Sequence, residues 1–411
     1  MEDVRINADR LWASLMEMAE IGGTPAGGVC RLTLTDLARE SRDLFIAWCE
    51  DAGCETHVDA VGNIFARRPG ADDARPPVMT GSHLDTQPTG GKFDGAYGVM
   101  AGIEVLRTLN DHGIVTAAPI EVVVWTNEEG CRFTPSMSGS GVFADVYSLD
   151  YILARTDENR VTVGDELARI GYAGDTRPGG RPVAAYIEAH IEQGPVLEAE
   201  NKTIGVVTGG QGKRSYEITI SGQEAHAGTT PMPVRRDSLQ GAVGMIATAE
   251  RIAHDNAPHA VSTVGMISAE PNSRNTIPGS VFFSADMRHP DRKTLDAMDA
   301  EFRGTCEEIA QDRNLDINIV EVSRYEPIAF DATCIAAVRA AATSFGYGHR
   351  DIVSGAGHDA CYLARVAPTG MIFIPCENGV SHAEIENATS ADVAAGCNVL
   401  LQTMLEFAGR G

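Results

Sequence analysis

The sequence predicts an α/β protein: a mixed, mostly parallel sheet with flanking helices, interrupted by an inserted two-layer α+β domain. Three observations support this prediction. Ile120–Trp125 (IEVVVW) is an apolar run broken only by Glu121, which is typical of a strand buried on both faces. Before it, apolar residues recur at helical spacing, at Val99, Ile103, Leu106 and Leu109. Strict alternation of apolar and polar residues begins only after residue 212.

The elements of the first part follow one another as strand, helix and strand. Val78–Thr80 enters the segment GSHLDT as a short strand, the helix over residues 99–109 follows, and Ile120–Trp125 is the next strand. This order is typical of a βαβ unit, which places its two strands parallel in one sheet. Near the C-terminus, Met371–Ile374 predicts another buried strand, and residues 391–407 predict a helix.

The middle of the chain has a different character. Residues 215–221 (SYEITIS) alternate as a half-exposed strand does, and residues 238–254 predict a helix. Further strands are predicted at 261–267, 281–288 and 317–322, with a second helix marked by Leu295, Met298, Phe302 and Ile309. We therefore expect residues 213–329 to form a domain inserted into a catalytic domain made of residues 1–212 and 330–411.

Composition and charge limit the possible functions. The chain has 411 residues, with 33 Lys+Arg against 57 Asp+Glu, so its formal net charge is −24. Such a charge argues against binding to nucleic acid or to an anionic membrane, because phosphates are repelled. No apolar run reaches the roughly 18 residues needed to span a bilayer. Nine scattered cysteines without a CxxC pair indicate reduced thiols. With no signal peptide evident, we expect a cytoplasmic protein.

Two glycine-bounded segments carry candidate metal ligands. His83 and Asp85 lie two residues apart in GSHLDT, where a buried strand should end, and open α/β sheets bind ligands at such ends. A nearby carboxylate such as Asp85 can hold the second ring nitrogen of a histidine ligand. Asp94 lies in the turn GGKFDG just before the predicted helix. Each segment alone also fits an ordinary surface turn.

Further candidates follow other buried strands. Glu128 and Glu129 are adjacent carboxylates directly after Ile120–Trp125, and a nearby cation would relieve their repulsion. His190 lies in EAHIEQG, and His382 follows the MIFI strand in VSHAE. Either histidine by itself could be structural.

Together these residues indicate a two-metal hydrolase. The set His83, Asp94, Glu129, His190 and His382 suits zinc, manganese, cobalt or nickel. One carboxylate bridging two metals would give each metal three protein ligands and leave room for a water. Glu128, left unused by this set, would then carry a proton from that water to the leaving group. The sequence contains no GxSxG, GxGxxG or P-loop motif that would favour another chemistry.

The inserted domain has three candidates of its own. His226, in the loop EAHAGTTPM, could donate a hydrogen bond to a developing oxyanion. Arg288 could clamp a carboxylate in bidentate fashion, and Asn275 could add a hydrogen bond. Without other information, a turn histidine and a surface salt bridge are the simpler interpretations.

The motifs in combination closely resemble the hydantoinase/carbamoylase family of metal-dependent amidases, within the aminoacylase-like M20 peptidases. They are GSHLDT, GGKFDG, TNEEG, EAHIEQGPVLE, AHAGTTPM, NxIPG with MRH, and SHAE, in this order over about residues 60–395. The resemblance implies two divalent metal ions, one held by His83, Asp94 and His190 and the other by Asp94, Glu129 and His382. It further implies that Glu128 is the general base and that Asp85 supports His83.

The resemblance also implies a substrate and a partner. Gln193, Asn275, Arg288 and Gly357 match positions that hold the substrate amide and carboxylate, and His226 matches a histidine that reaches the active site of the other subunit. We therefore expect a homodimer, formed through the inserted domain, that hydrolyses a small ureido substrate bearing a carboxylate. N-carbamoyl-L-amino acids and N-carbamoyl-β-alanine are the leading substrates. Allantoate is the alternative, followed by a dipeptidase or deacylase activity, and finally by a non-catalytic binding protein.

Overall fold

The computed structural model of the chain describes residues 4–409, which divide into two compact units. One unit comprises the described parts of Met1–Thr208 and Ala329–Gly411, and the other is Gly209–Ile328. The second unit thus begins four residues before the 213 expected from the sequence and ends one residue before 329. The first three and last two residues of the expected catalytic domain lie outside the described residues.

The helices and strands alternate before the insertion, and their bounds follow in chain order. The helices are α1 Ala8–Glu20, α2 Asp36–Asp51, α3 Ala96–Asp111, α4 Ser138–Phe143, α5 Leu149–Leu153, α6 Val163–Ile170 and α7 Val196–Ala199. The strands are β1 Glu55–Val58, β2 Ile64–Arg68, β3 Val78–His83, β4 Ile120–Trp125, β5 Ala185–Ile191 and β6 Ile204–Gly210.

The inserted unit and the C-terminal part complete the chain. The former contains β7 Gly212–Ser221, β8 Ala225–His226, α8 Ser238–Asp255, β9 Val261–Thr263, β10 Ile267–Glu270, β11 Thr276–Ile277, β12 Ser280–His289, α9 Arg292–Asp312 and β13 Asp316–Tyr325. After β14 Ile328–Ala329 follow α10 Ala332–Ser344, β15 His349–Ser354, α11 Asp359–Leu363, β16 Thr369–Ile374 and α12 Ser390–Ala408. None of the helices within residues 4–409 is long and apolar enough to cross a membrane.

The large sheet confirms the predicted fold class. Its strand order is β1-β2-β4-β3-β5-β16-β6-β14, with β15 paired to β6. The central strands β4, β3, β5 and β16 run parallel, whereas β1, β2 and β6 pair antiparallel with their neighbours. Every residue of these four central strands is buried. Burial on both faces explains why β4 and β16 are made almost entirely of apolar residues.

The inserted unit packs two helices against an antiparallel sheet of order β10-β12-β7-β13, with β9 also paired to β12. Its core includes Ile218 and Phe283 from the sheet and Met298 and Phe302 from α9. The single strand predicted at 261–267 is wrong: β9 and β10 pair separately with β12, at Thr263↔Asp286 and Ile267↔Phe283. The two pieces are separated by residues 264–266, where Gly265 weakens the strand.

Candidate functional site

The candidate ligands of the larger unit meet at the carboxyl ends of the central parallel strands. His83 is the last residue of β3, His190 is the penultimate residue of β5, and Glu129 lies four residues after β4. His382 follows β16 at a greater distance along the chain. Since parallel strands end at the same edge of a sheet, the topology brings residues from four separate segments together.

Asp94 lies at the centre of the cluster. It is buried, and Gly95, with φ of 65°, follows it as the N-cap residue of α3. One carboxylate oxygen, Oδ1, is 3.2 Å from Nε2 of His190 and 3.6 Å from Nε2 of His83. The other, Oδ2, is 3.2 Å from Nε2 of His382, which is 3.7 Å from Oε2 of Glu129. The two oxygens of Asp94 therefore face two different groups of potential ligands, each compact enough to hold a metal ion.

Main-chain carbonyl groups set the protonation of two of the histidines. Nδ1 of His83 is 2.9 Å from the carbonyl oxygen of Asp85, and Nδ1 of His190 is 2.9 Å from that of Ile191. A carbonyl oxygen only accepts hydrogen bonds, so each Nδ1 carries the proton. Each Nε2 atom then has a lone pair to offer a metal when its ring is neutral. In the metal-free site the lone pair of His190 Nε2 accepts a hydrogen bond from the Gly95 N–H at 3.2 Å. The donor set and its tautomers thus fit divalent metal ions.

Asp85 supports this arrangement in a different way from the one expected. Its carboxylate lies 4.0 Å from Nδ1 of His83, too far for a hydrogen bond, and the contact is made by its main-chain carbonyl instead. The carboxylate oxygens accept from the backbone N–H groups of Glu128 and Glu129, at 3.3 and 3.2 Å. Asp85 therefore fixes the His83 ring and the loop after β4 at the same time.

Glu128 lies on the same loop as Glu129 but faces a different neighbour. Its Oε2 is 3.6 Å from Nε2 of His83. Burial raises the pKa of the Glu128 carboxyl well above its usual range; the His83 ring opposes this shift, while Asp359 and Glu129 add to it. A carboxyl group with a raised pKa is suited to holding a proton during a reaction at neutral pH.

Three loop residues of the site have left-handed backbone conformations that are uncommon outside glycine. Their φ angles are 57° for Asn127, 58° for Gln193 and 55° for His382. The side-chain amide of Asn127 donates to the carbonyl oxygens of Phe133 (2.7 Å) and Pro135 (3.1 Å), which fixes the turn that leads to Glu128. Local strain of this kind clusters at functional sites.

Gln193 and Gly357, the two predicted substrate-binding positions of this unit, lie in its loops. The Gln193 amide donates to Oδ2 of Asp94 at 2.9 Å and to Oγ of Ser381 at 3.2 Å. Its Oε1 is buried without a hydrogen-bond partner among residues 4–409, so it is available to accept from a ureido N–H. A Cβ at Gly357 would lie 3.2 Å from Cε of Met137, so a larger residue there would press on its neighbour.

Buried polar residues behind the ligands were not singled out by the sequence. The Glu188 carboxylate accepts from Ser82 Oγ (2.7 Å) and from the backbone N–H of Ala360 (3.0 Å). With His190 and His358 it forms another possible metal group. Because Nδ1 of His190 is already engaged, its single remaining nitrogen can serve either this group or Asp94. The signals in the sequence are the position of Glu188 at the start of EAHIEQG and that of His358 directly after Gly357.

His226 and Asn275 lie close together in the inserted unit. Strand β8 pairs with β11 at His226↔Thr276, and the Ala227 N–H donates to the Asn275 carbonyl oxygen at 2.9 Å. Nδ1 of His226 accepts from the backbone N–H groups of Gly228 (3.1 Å) and Thr229 (3.3 Å). The neutral ring therefore carries its proton on the exposed Nε2, which can donate a hydrogen bond.

Arg288, on β12, is half-buried and engaged with an acidic neighbour. Its Nε donates to Oδ1 of Asp286 at 2.8 Å. A bound carboxylate would share the guanidinium with Asp286, which the planar fork of arginine allows.

We expect metal binding to release protons and to weaken as the pH falls below about 7. In the metal-free site, burial and then the charge of Asp94 raise the pKa of Glu129 to about 7. Burial opposes protonation of His83, but the carboxylates of Glu128, Asp94 and Asp85 outweigh it and raise the pKa of that ring. Each group must lose its proton to bind a metal, so a raised pKa means stronger competition from protons at lower pH.

Calorimetric titration with Zn²⁺ at about pH 6, 7 and 8 measures how metal binding depends on proton release. The protein is first freed of metal by dialysis against a chelator. Buffers with different ionisation enthalpies report the number of protons released. A flat affinity with no released protons would contradict the ligand assignment.

Comparisons with known proteins show the family of the chain. The family model of peptidase family M20/M25/M40 matches residues 79–406. An N-carbamoyl-L-amino-acid amidohydrolase of Rhizobium meliloti is 50% identical over 407 residues, covering 99% of this chain and 98% of that protein. An allantoate amidohydrolase of Bacillus subtilis is 34% identical over 400 residues, covering 95% of each. A hydantoinase/carbamoylase family amidase from Burkholderia multivorans superposes with a TM-score of 0.97 at 59% identity, covering 98% of both chains.

Proposed function

Because the chain belongs to the peptidase family M20/M25/M40 and to the hydantoinase/carbamoylase amidases, we propose that it hydrolyses N-carbamoyl-L-amino acids. The products are the amino acid, carbon dioxide and ammonia. The observation that carries the proposal is the Asp94 carboxylate, whose two oxygens face separate ligand groups while Glu128 lies beside one of them. This is the arrangement that two-metal amide hydrolysis requires.

We propose two divalent ions per chain. His83, Asp94 and His190 would hold one, and Asp94, Glu129 and His382 would hold the other, so Asp94 would belong to both ligand sets. When bound, the ions polarise the scissile ureido carbonyl as Lewis acids. Zinc, manganese, cobalt and nickel all accept this combination of imidazole and carboxylate ligands.

Glu128 moves the proton in this proposal. Its carboxylate takes a proton from the attacking water and passes it to the nitrogen that leaves with the amino acid, so the C–N bond breaks. The remaining carbamate falls apart to carbon dioxide and ammonia. Burial of Glu128 favours its protonated form, which is the form needed when the amine departs.

Other residues would bind and orient the substrate. Gln193 and Gly357 take the ureido amide, Asn275 and Arg288 take the substrate carboxylate, and Nε2 of His226 donates to the developing oxyanion. We also propose that the inserted unit forms a homodimer in which His226 serves the other subunit. Exposed apolar side chains on α8 and near β10 support this idea, namely Val243, Met266 and Ile267. Strand β10 is also an edge strand, which is open to pairing.

A cytoplasmic location is consistent with this role. The cysteines of the described chain are free thiols, which persist in reducing compartments.

Replacing Arg288 with alanine should raise KM for the carbamoyl amino acid roughly tenfold to hundredfold, because hydrogen bonds to charged groups contribute about 1.5–3 kcal/mol. The turnover number should change much less, since Arg288 binds the substrate away from the reacting bond. Arg251→Ala is a matched control, because Arg251 is also ion-paired within the inserted unit, to Asp255 and Glu301. Steady-state kinetics decide the matter, and an unchanged KM in Arg288→Ala would count against the carboxylate clamp.

Mixing two inactive variants should restore activity if His226 serves the other subunit. Glu128→Gln and His226→Ala chains each lack one component, but a mixed dimer contains one site with both. An equal mixture should reach up to roughly a quarter of wild-type activity, because half of the dimers are mixed and one of their two sites is intact. No recovery in dimers shown to be mixed would remove the idea of a shared site.

The substrate is tested by ammonia release from N-carbamoyl-L-α-amino acids, N-carbamoyl-β-alanine and allantoate, side by side. We expect the α-amino acid derivatives to react fastest. Preferential release from N-carbamoyl-β-alanine would keep the carbamoyl chemistry but change the substrate. Release from allantoate alone would favour the alternative that the 34% identical relative suggests. If protein with two metals bound released no ammonia from any of the three substrates, the result would point to a dipeptidase or deacylase.

A further inference from the structure

Glu386 is a buried carboxylate that lies four residues after His382 and that no part of the proposed mechanism uses. It is 3% exposed, in a turn closed by a hydrogen bond from its own N–H to the Ala383 carbonyl oxygen at 3.0 Å. A buried carboxylate is costly unless several donors satisfy it. The identity of those donors indicates what Glu386 does.

The two oxygens of Glu386 connect two separate ligand turns. Oε1 accepts from the backbone N–H groups of Phe93 (3.0 Å) and Asp94 (3.1 Å). Oε2 accepts from Oγ of Ser381 at 2.7 Å, and that hydroxyl is also 3.4 Å from Oδ2 of Asp94. One side chain therefore ties the turn of Asp94 to the turn of His382.

The glycine turn before Asp94 is shaped around this carboxylate. A Cβ on Gly91 would overlap the Glu386 carboxyl group. The sequence motif GGKFDG therefore needs a glycine at this position so that Glu386 can approach the backbone. The close packing of Gly91 against Glu386 is a second observation, separate from the hydrogen bonds, that links Glu386 to the turn of Asp94.

We call the ion held by His83, Asp94 and His190 the first metal, and the ion held by Asp94, Glu129 and His382 the second. The ligands of the second metal depend more on the hydrogen bonds of Glu386 than those of the first. His83 and His190 are residues of fully buried strands, so the sheet fixes them. Asp94 and His382 lie outside the sheet, and the His382 side chain is 50% exposed, so little packing fixes it. Two turns nearly 290 residues apart in sequence must keep Asp94 Oδ2 and His382 Nε2 within 3.2 Å of each other.

We propose that Glu386 is a positioning residue that holds Asp94 and His382 in place for the second metal. The proposal rests on the metal assignment made under the proposed function. Glu386 is not assigned as a ligand, because it belongs to none of the possible metal groups among residues 4–409 and its two oxygens face protein donors. It acts on the ligands through hydrogen bonds, as partners of metal ligands commonly do.

Four variants separate positioning from charge and from general stability. Glu386→Gln removes the charge but keeps an oxygen to accept from both N–H groups and an amide to donate to Ser381 Oγ. Glu386→Ala removes all three hydrogen bonds. Glu104→Ala is the matched control: Glu104 is another buried carboxylate, and its hydrogen bonds go to Asn7, Arg10 and Thr108. Ser381→Ala removes the hydrogen bond from Ser381 Oγ to Glu386 but keeps those from the Phe93 and Asp94 N–H groups; it also removes an acceptor of the Gln193 amide. It replaces Glu386→Ala if that variant fails to fold.

The measurement is Zn²⁺ stoichiometry and affinity by equilibrium dialysis against chelator-buffered zinc, together with the Co²⁺ absorption spectrum. In Glu386→Ala the second ion should bind roughly tenfold to hundredfold more weakly. The first should weaken much less, because the sheet fixes His83 and His190 and Asp94 is the one ligand that both ions share. Glu386→Gln should stay within about threefold of wild type, since its hydrogen bonds persist. Ser381→Ala should weaken only the second ion, and Glu104→Ala should weaken neither.

Two results would overturn the positioning role while leaving the proposed function intact. One is wild-type binding of both ions by Glu386→Ala. The other is equal weakening in Glu386→Gln and Glu386→Ala, because charge rather than hydrogen bonding would then matter. Fewer than two ions in the wild-type protein would instead contradict the ligand assignment, and with it both proposals.

Discussion

Replacing Asp94 with alanine is expected to abolish binding of both metal ions and to lower turnover roughly a thousandfold or more. Asp94 Oδ1 lies 3.2 Å from Nε2 of His190, and Oδ2 lies 3.2 Å from Nε2 of His382. Removing a residue that binds one ion should release that ion alone, whereas removing a residue that binds both ions should release both. Metal content after dialysis, measured by mass spectrometry, gives the answer directly.

Asp94→Asn is a closely matched variant, since it keeps the size and one acceptor oxygen while losing the bridging charge. We expect it to bind at most one ion. Retention of two ions per chain by Asp94→Ala would show that the bridging assignment is wrong. Loss of a single ion would mean that Asp94 belongs to only one of the two groups.

Replacing Glu128 with glutamine is expected to lower the turnover number by roughly a hundredfold to ten-thousandfold, the usual range for a general acid–base residue. Both metals should remain, because Glu128 belongs to neither ligand group around Asp94. Glutamine has nearly the same shape but takes up no proton from water. The neighbouring residue gives the control: Glu129→Gln should lose affinity for one ion.

The two adjacent variants thus have opposite signatures, which metal analysis and steady-state kinetics distinguish. Wild-type turnover in Glu128→Gln would exclude its role as the base, and another group would have to move the proton. Loss of a metal ion from Glu128→Gln would show that it is a ligand, and the roles of Glu128 and Glu129 would need to be exchanged.

The sequence predicts the large unit well because burial there leaves a simple pattern. Strands β4 and β16 lie between other strands and are buried on both faces, so their residues are nearly all apolar. Polar residues such as His83 and Glu128 then stand out at or just beyond the strand ends. Because the strands are parallel, their ends share one edge, and candidates far apart in sequence can be grouped.

Other features leave no such pattern. The break between β9 and β10 depends on how each piece pairs with β12, which is a tertiary contact. The support of His83 comes from the carbonyl group of Asp85, which any residue type could supply. Glu386 is one acidic residue among 57 Asp and Glu residues, and only its contacts distinguish it.

The central claim is metal-dependent cleavage of an N-carbamoyl-L-amino acid. The most direct test measures the release of ammonia and of free amino acid in the same reaction. It uses protein freed of metal by a chelator, with and without metal added back. The substrates are the L and D forms of one N-carbamoyl amino acid. We predict equal amounts of ammonia and amino acid, from the L form, only after metal is restored. Equal rates with and without metal, or no ammonia from protein that holds two ions, would contradict the account.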